Sequence, residues 1–288
     1  LRSRIDEALT SQSGDGLAVE IAGICQDYMS GKLGRSHTMS QMLNNLMDRL
    51  SLPPKGRVET GFTRVDALLK GMRAGNFVII AARPAVGKSV YAQNIAMNVA
   101  RTGKSVLLYS LEMSDEELGE RIISKTSGVQ LDKITDHNLD EQDWKRISDA
   151  CQYLYDLPLI INDDPSVTTS KIRAEARMTE NLGLIIVDFL TLIKSERKYD
   201  SRNLEVGAIS RELKLLAKEL KIPIIALSQL NRNAADTSRP TLAELRDSGE
   251  LEQNTDSVIF LWNIDVEQGI KGVAVAKNRQ GRCGAVQM

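Results

Sequence analysis

The stretch "ARPAVGKS", Ala82 to Ser89, sets a lysine and a hydroxyl directly after a glycine, behind the apolar run "FVIIA" (77 to 81) and ahead of a segment with helical spacing. These are the parts of a phosphate-binding loop: a strand that stops, a turn with inward N–H groups, a cation, and a helix N-terminus aimed at an anion. The strict G-x-x-x-x-G-K-[ST] pattern has glycine where this chain has Ala82, yet alanine keeps its amide, so no donor is lost. Pro84 has no N–H, so the donors are the amides from Val86 to Ser89, with Gly87 permitting close approach. Lys88 would meet the terminal phosphates and the Ser89 hydroxyl would hold Mg²⁺. Arg83, Pro84, Ala85, Val86, Gly87, Lys88, Ser89 and Val90 together form the candidate nucleotide contact, with ATP as the default nucleotide.

Hydrolysis also needs a base and a sensor of the terminal phosphate. In open α/β sheets ligands sit beyond the carboxyl ends of the strands. Three apolar runs deliver polar groups there: "SVLLYSLE" ends in Glu112, "LGLIIVD" in Asp188 and "IPIIALSQ" in Gln229. Asp188 suits Mg²⁺, Glu112 suits orientation and deprotonation of an attacking water, and Gln229 suits detection of the γ-phosphate. Singly, each reads equally well as a helix cap or a solvated strand end. Three of them downstream of one phosphate loop are much harder to explain that way.

The elements that must position these groups are legible as short apolar runs alternating with segments of helical period. The runs are 77–81, 105–110, 157–161, 182–188, 222–228, 257–262 and 272–277. Continuous Val/Ile/Leu runs of this kind predict strands buried on both faces, the habit of parallel sheets. The fold class is therefore α/β, a mostly parallel central sheet flanked by helices. Ser114 with Glu117 is a capping-box pattern ahead of Leu118, Ile122 and Ile123, and Asp140 leads a helical segment through Trp144, Ile147 and Leu154. Asn203 to Lys221 puts Val206, Ile209, Leu213, Leu216 and Leu220 on one face. "KGVAVAK" and "CGAVQ", separated by "NRQGR", read as a C-terminal β-hairpin.

The N-terminal portion differs. Leu17, Ile21, Ile24 and Tyr28 predict one helix, "SGKLGRS" a linker, and Met39, Met42, Leu43, Leu46, Met47 and Leu50 a second apolar stripe ended by "LPPKG". Such helices cap their own domain, or the Met-rich one docks on another subunit. The expected division is a helical remnant and linker helix over 1–55 and the sheet domain over 56–288.

Composition narrows the function. Cys25, Cys151 and Cys283 lie far apart with no C-x-x-C, and His37 and His137 cannot build a zinc site without them, which argues against a disulfide scaffold or metal centre. No apolar run approaches the roughly 20 residues of a membrane span, and no signal-peptide layout is present, so the chain reads as soluble and cytoplasmic. Beginning at Leu1, it reads as a portion of something longer. The net charge of −1 leaves nucleic-acid binding to local basic segments, and with aromatics at only 4% grip would come from phosphate contacts more than stacking.

Six blocks now add up. "TGFTRVDALLKGMRAGNFVIIAARPAVGKS", "LLYSLEMSDEELGERI", "LGLIIVDFLTLI", "KIPIIALSQLNR", "RPTLAELRDSGELEQNTDSVIFLW" and "AKNRQGRCG" resemble, in order, the motor domain of the DnaB-type replicative DNA helicases, from about Gly61 to Gly284. That family also carries Ala-Arg-Pro where the strict pattern wants glycine. The resemblance implies a RecA-like motor, a homo-hexameric ring with active sites at subunit interfaces, single-stranded DNA as track with 5'-3' polarity, and primase and a helicase loader as partners. It implies Lys88 and Ser89 on phosphate and Mg²⁺, Glu112 as base, Asp188 as the second Mg²⁺ contact and Gln229 as sensor. It further implies that Lys277 and Arg279 of the last hairpin reach across to a neighbour, Arg279 as an arginine finger. Arg246, Asp247 and Gly249 would lie near the DNA backbone. Lys194, Arg197 and Lys198 in "KSERKYDSRN" are further DNA candidates, and equally a solvated charge run diluted by Glu196 and Asp200. The segment Trp262 to Lys271 is shorter than the resemblance leads one to expect.

Two other readings share the loop and sheet: a RecA-type recombinase filament and a KaiC-like signalling ring bound to protein partners. The "SLEMSDEELGERI" and "KNRQGRCG" blocks favour the helicase over the recombinase. Whether single-stranded DNA alters turnover separates the helicase from the signalling ring.

Overall fold

The computed structural model describes residues 38–51, 56–230 and 238–288. The expected helix around 17–28 lies outside them. The chain divides into two compact units between Gly56 and Arg57. In the first, the Met-rich stripe forms helix α1 (Met39–Ser51), with Met39, Met42, Leu43, Met47 and Leu50 exposed.

The second unit is built on one eight-stranded sheet in the order β3-β2-β4-β5-β1-β6-β7-β8. Its strands are β1 (Phe77–Ala82), β2 (Ser105–Ser110), β3 (Leu159–Asn162), β4 (Leu182–Asp188), β5 (Ile224–Gln229), β6 (Ser257–Asp265), β7 (Ile270–Asn278) and β8 (Gly284–Gln287). From β3 to β6 every pairing is parallel; β6–β7 and β7–β8 are antiparallel. The Val/Ile/Leu runs sit as their composition requires, since β1, β4 and β5 lie in the middle and are buried on both faces.

Around the sheet run α2 (Thr63–Leu69), α3 (Lys88–Ala100), α4 (Asp115–Ser127), α5 (Leu131–Thr135), α6 (Glu141–Tyr155), α7 (Thr169–Met178), α8 (Arg202–Leu220) and α9 (Gly249–Asn254). One core packs Val78, Ile80, Ile186, Ile225 and Ile259 against Ile95, Ala96 and Val99 of α3 and Leu118 of α4. The opposite core packs Phe77, Ile79, Ile185 and Phe260 against Ile172 of α7 and Val206, Ile209, Leu213 and Leu216 of α8. The period-two alternation of each strand thus divides its side chains between two helical layers. Helix α4 starts on a complete capping box between Ser114 and Glu117, and α6 on an equivalent one between Asp140 and Asp143.

Four expectations are corrected. The run 157–161 is an edge strand with Ile160 40% exposed, because β3 pairs only with β2 and has one unpartnered side. Its start moves to Leu159 and that of β5 to Ile224, each just past a proline that cannot donate to the ladder. Trp144 lies outside the buried face of α6 and is exposed. The strands expected over 257–262 and 272–277 are longer: β6 runs on to Asp265, the chain turns over 266–269, and β7 begins at Ile270.

That β6–β7 hairpin depends on a glycine. Gly272 pairs with Trp262, and a β-carbon there would fall 2.2 Å from the indole. Gly272→Ala is expected to lower stability by about 1–3 kcal/mol through overpacking. A urea unfolding midpoint reads this directly, and an unchanged midpoint would show that the indole moves aside freely.

Candidate functional site

The chain leaves β1 at Ala82 and turns twice through left-handed backbone, at Ala85 (φ 61°) and Gly87 (φ 98°), before α3 begins. Positive φ at a non-glycine residue is uncommon, and alternation of hand turns successive amides into one concavity. Gly87 is the N-cap; it offers no side chain, so the first amides of α3 are left to an external partner. The turn at the expected loop has the backbone shape of an anion cradle.

Lys88 and Asp188 meet beneath it. Both are buried, at 8% and 6% exposure, and Lys88 Nζ lies 3.8 Å from Asp188 Oδ1, too far for a hydrogen bond. Lys88 Nζ also sits 4.7 Å from the centre of the Phe189 ring. Burial lowers the Lys88 pKa, with Asp188 and Glu112 pulling it partly back. Burial raises that of Asp188; the Ser89 hydroxyl and Lys88 pull it down, and Glu112 raises it further. Asp188 Oδ1 is buried with no hydrogen-bond partner. A carboxylate oxygen and a serine hydroxyl side by side, one of them unsatisfied, fit a hard oxygen-seeking cation such as Mg²⁺.

The flanking strands bring the remaining candidates. Ser110 pairs with Asp188, and the Leu111 amide donates to the Asp188 carbonyl at 2.7 Å, so Glu112 emerges beside Asp188. Gln229 pairs with Ala82, and the Leu230 amide donates to the Ala82 carbonyl at 3.0 Å, fixing the glutamine at the root of the loop. Glu112 and Gln229 are exposed, open to a ligand. Parallel register alone gathers Lys88, Ser89, Glu112, Asp188 and Gln229 at one end of the sheet.

Other candidates lie elsewhere. Arg83 turns its side chain away: it donates to the Ser238 carbonyl at 2.8 Å and pairs with Glu244 at 3.0 Å, buried at 2% exposure. Its part in the loop is a strut to the segment 238–248, which sequence reading missed because the partners stand more than 150 residues apart. Val90 faces outward on α3. Lys277 and Arg279 sit at the opposite end of the sheet, since β7 runs antiparallel to β6 and Asn278 pairs with Ser257. At about 3.3 Å per residue, four strand residues put them roughly 13 Å below the start of the loop, so Arg279 does not reach its own chain's Lys88. There Lys277 Nζ donates to the Glu252 carbonyl (2.5 Å) and Arg279 to the Gln253 carbonyl (2.6 Å), both in α9. Burial and Arg279 lower the Lys277 pKa. Arg246, Asp247 and Gly249 fall on the 3₁₀ turn Leu242–Ser248 and the start of α9, with side chains outside the described set. Lys194, Arg197 and Lys198 are exposed between β4 and α8.

A phosphate loop after the central strand of a mostly parallel sheet, with an acid, an aspartate and a glutamine on neighbouring strand ends, defines a RecA-like ATPase fold. Residues 57–288 match the family model of the DnaB-like helicase C-terminal domain, and the chain belongs to that family. It is 39% identical over 244 residues to the replicative DNA helicase DnaC of Bacillus subtilis, covering 80% of this chain and 54% of that one. It is 37% identical over 275 residues to the replicative DNA helicase DnaB of Buchnera aphidicola, covering 90% and 59%. The chain spans little more than half the length of these relatives. Among solved structures it superposes on an ATPase domain with TM-score 0.80 at 31% identity, covering 88% of this chain and 95% of that one. A DnaB-like replicative helicase studied with primase gives TM-score 0.78 at 29% identity, covering 99% and 72%. No described helix is long and apolar enough to cross a membrane.

The Arg83 strut is testable. Glu244→Gln keeps the shape but removes the countercharge of a buried guanidinium, and is expected to cost about 1–3 kcal/mol in urea unfolding. No change in midpoint would show that the Ser238 contacts suffice.

Proposed function

We propose that the chain is the motor of an ATP-dependent replicative DNA helicase, working as a ring hexamer that translocates 5'-3' on single-stranded DNA and unwinds duplex. The observation that carries this reading is the buried, incompletely satisfied Lys88–Asp188 pair, with Ser89, Glu112 and Gln229 at the same end of the sheet, within a DnaB-family fold. The amides of Val86 to Ser89 cradle the phosphates, and Lys88 neutralises them. Ser89 and Asp188 hold Mg²⁺, which supplies charge neutralisation on the phosphoryl oxygens. Glu112 orients and deprotonates the attacking water, and Gln229 contacts the terminal phosphate.

Arg279 and Lys277 serve the neighbouring subunit's nucleotide, because the sheet holds them far from their own. Arg279 then stabilises negative charge developing in phosphoryl transfer. Arg246, Asp247 and Gly249 contact the DNA backbone, with Lys194, Arg197 and Lys198 adding charge, and six copies around a ring concentrate modest basic segments. The exposed Met stripe of α1 serves as a subunit-docking helix. Primase is proposed as a partner on the strength of the structural neighbour studied with it, and a loader and a cytoplasmic location on family resemblance.

Strand displacement from a forked duplex tests the reading: the parent chain displaces with ATP, and Lys88→Ala does not while keeping its fold. No displacement by assembled parent rings would contradict it. Arg279→Ala alone is expected to be inactive and to regain partial hydrolysis when mixed with Lys88→Ala, each supplying what the other lacks. Mixtures no more active than either variant, after exchange of subunits is verified, would remove the finger in trans.

Nucleotide binding should follow a bell in pH with both limbs displaced inward. The Asp188 carboxyl titrates above 3.8, so protons compete with Mg²⁺ and affinity is lost as pH falls through that raised value. Lys88 gives up its proton below 10.5, so anion binding is lost early on the alkaline side. Titration of a fluorescent ADP against pH with Mg²⁺ present checks both limbs; a flat profile would contradict the assignment.

A further inference from the structure

On β6 and β7 the same alternation that buries Ile259, Leu261, Val273 and Val275 on the α3 face carries Asn263 and Lys271 onto that face, one step beyond the core. They pair across the hairpin, and there Lys271 reaches the phosphate loop. Its Nζ donates to the Val86 carbonyl at 2.7 Å and to Asn263 Oδ1 at 3.0 Å. A β-carbon on Gly87 would lie 3.8 Å from the same nitrogen. The Lys271 backbone is pinned on its other side too, exchanging both hydrogen bonds with Met288 at 2.9 and 2.8 Å. A flexible side chain is thus held by a rigid root and two acceptors.

The peptide unit between Val86 and Gly87 has its C=O and N–H on opposite sides, as any trans peptide does. Fixing the Val86 carbonyl toward Lys271 therefore fixes the Gly87 amide away from it. We propose, resting on the nucleotide reading above, that Lys271 is a positioning residue of the nucleotide site: its ammonium holds the Val86 carbonyl turned outward so that the Gly87 amide stays presented to a bound phosphate. Asn263 holds the ammonium in place. Asp188 and Gln229 end β4 and β5, and Glu112 follows β2 by two residues, all on the other side of β1, so Lys271 serves the phosphates that ADP and ATP share.

Binding of fluorescent ADP and ATP analogues to the parent chain, Lys271→Met and Lys271→Arg, with urea midpoints for each, tests this. Lys271→Met is expected to bind both nucleotides about five- to tenfold more weakly, by the same factor, and in hydrolysis to raise KM while kcat holds. Lys271→Arg, which keeps the charge and the donors, restores most of the affinity. Lys271→Met with parental affinity would overturn the proposal, as would a loss confined to ATP or a folded Lys271→Arg as weak as the methionine variant. Asn263→Ala, expected to weaken both nucleotides in the same direction by less, provides a second check if Lys271→Met fails to fold; unchanged affinity there would count against the clamp. A parent chain that binds no nucleotide would overturn the site reading itself, an outcome distinct from all of these.

Discussion

A buried lysine and a buried aspartate, 3.8 Å apart with no hydrogen bond between them, are the constraint on which the rest of the second unit turns. Taking both charges out of water costs several kcal/mol per ion, and their attraction across this gap offsets only part of it. Burial moves both groups toward neutrality, Lys88 downward and Asp188 upward. Such a pair persists only where the surrounding scaffold is stable enough to hold it. The scaffold is the sheet centre, where β1, β4 and β5 are buried on both faces between two helical layers. A phosphate against Lys88 and a cation on Asp188 would complete the charges that the fold leaves incomplete.

Parallel register explains the rest of the geometry. When strands run the same way, their carboxyl ends coincide, so residues far apart in sequence, such as Ser110 and Asp188 or Ala82 and Gln229, arrive side by side. The antiparallel return of β7 does the reverse, delivering Lys277 and Arg279 to the far end. One sheet therefore presents the candidate nucleotide site at one end and basic residues at the other, the arrangement that the proposed head-to-tail ring requires. Between the two, Arg83 ties the phosphate loop to the segment 238–248, and Lys277 and Arg279 rest on α9 just beyond it.

Much of this was legible in sequence because it is local. The apolar runs, the Ser114 cap, the loop at 82–89 and the three strand-end residues are each written within a few neighbouring positions, and the structure puts them where the runs imply. The alanine at 82 did not mislead, since what matters there is an amide. What escaped is non-local or depends on sheet position. The exposure of β3 follows from its place at an edge, which periodicity does not encode. The direction of Arg83 follows its partners Ser238 and Glu244, more than 150 residues away. Lys271 could have been found: its place two residues before Val273, on the same face as the core beside α3, is a period-two signal.

Everything turns on whether the nucleotide site drives movement on DNA. The most direct measurement is the steady-state rate of ATP hydrolysis by the chain at micromolar concentration, with and without a long single-stranded oligonucleotide, at low and moderate salt. A DNA-tracking motor gripping phosphates predicts clear stimulation that fades as salt displaces the contacts. Hydrolysis by assembled rings that is indifferent to DNA at either salt would contradict it, and would point to a ring whose partners are proteins.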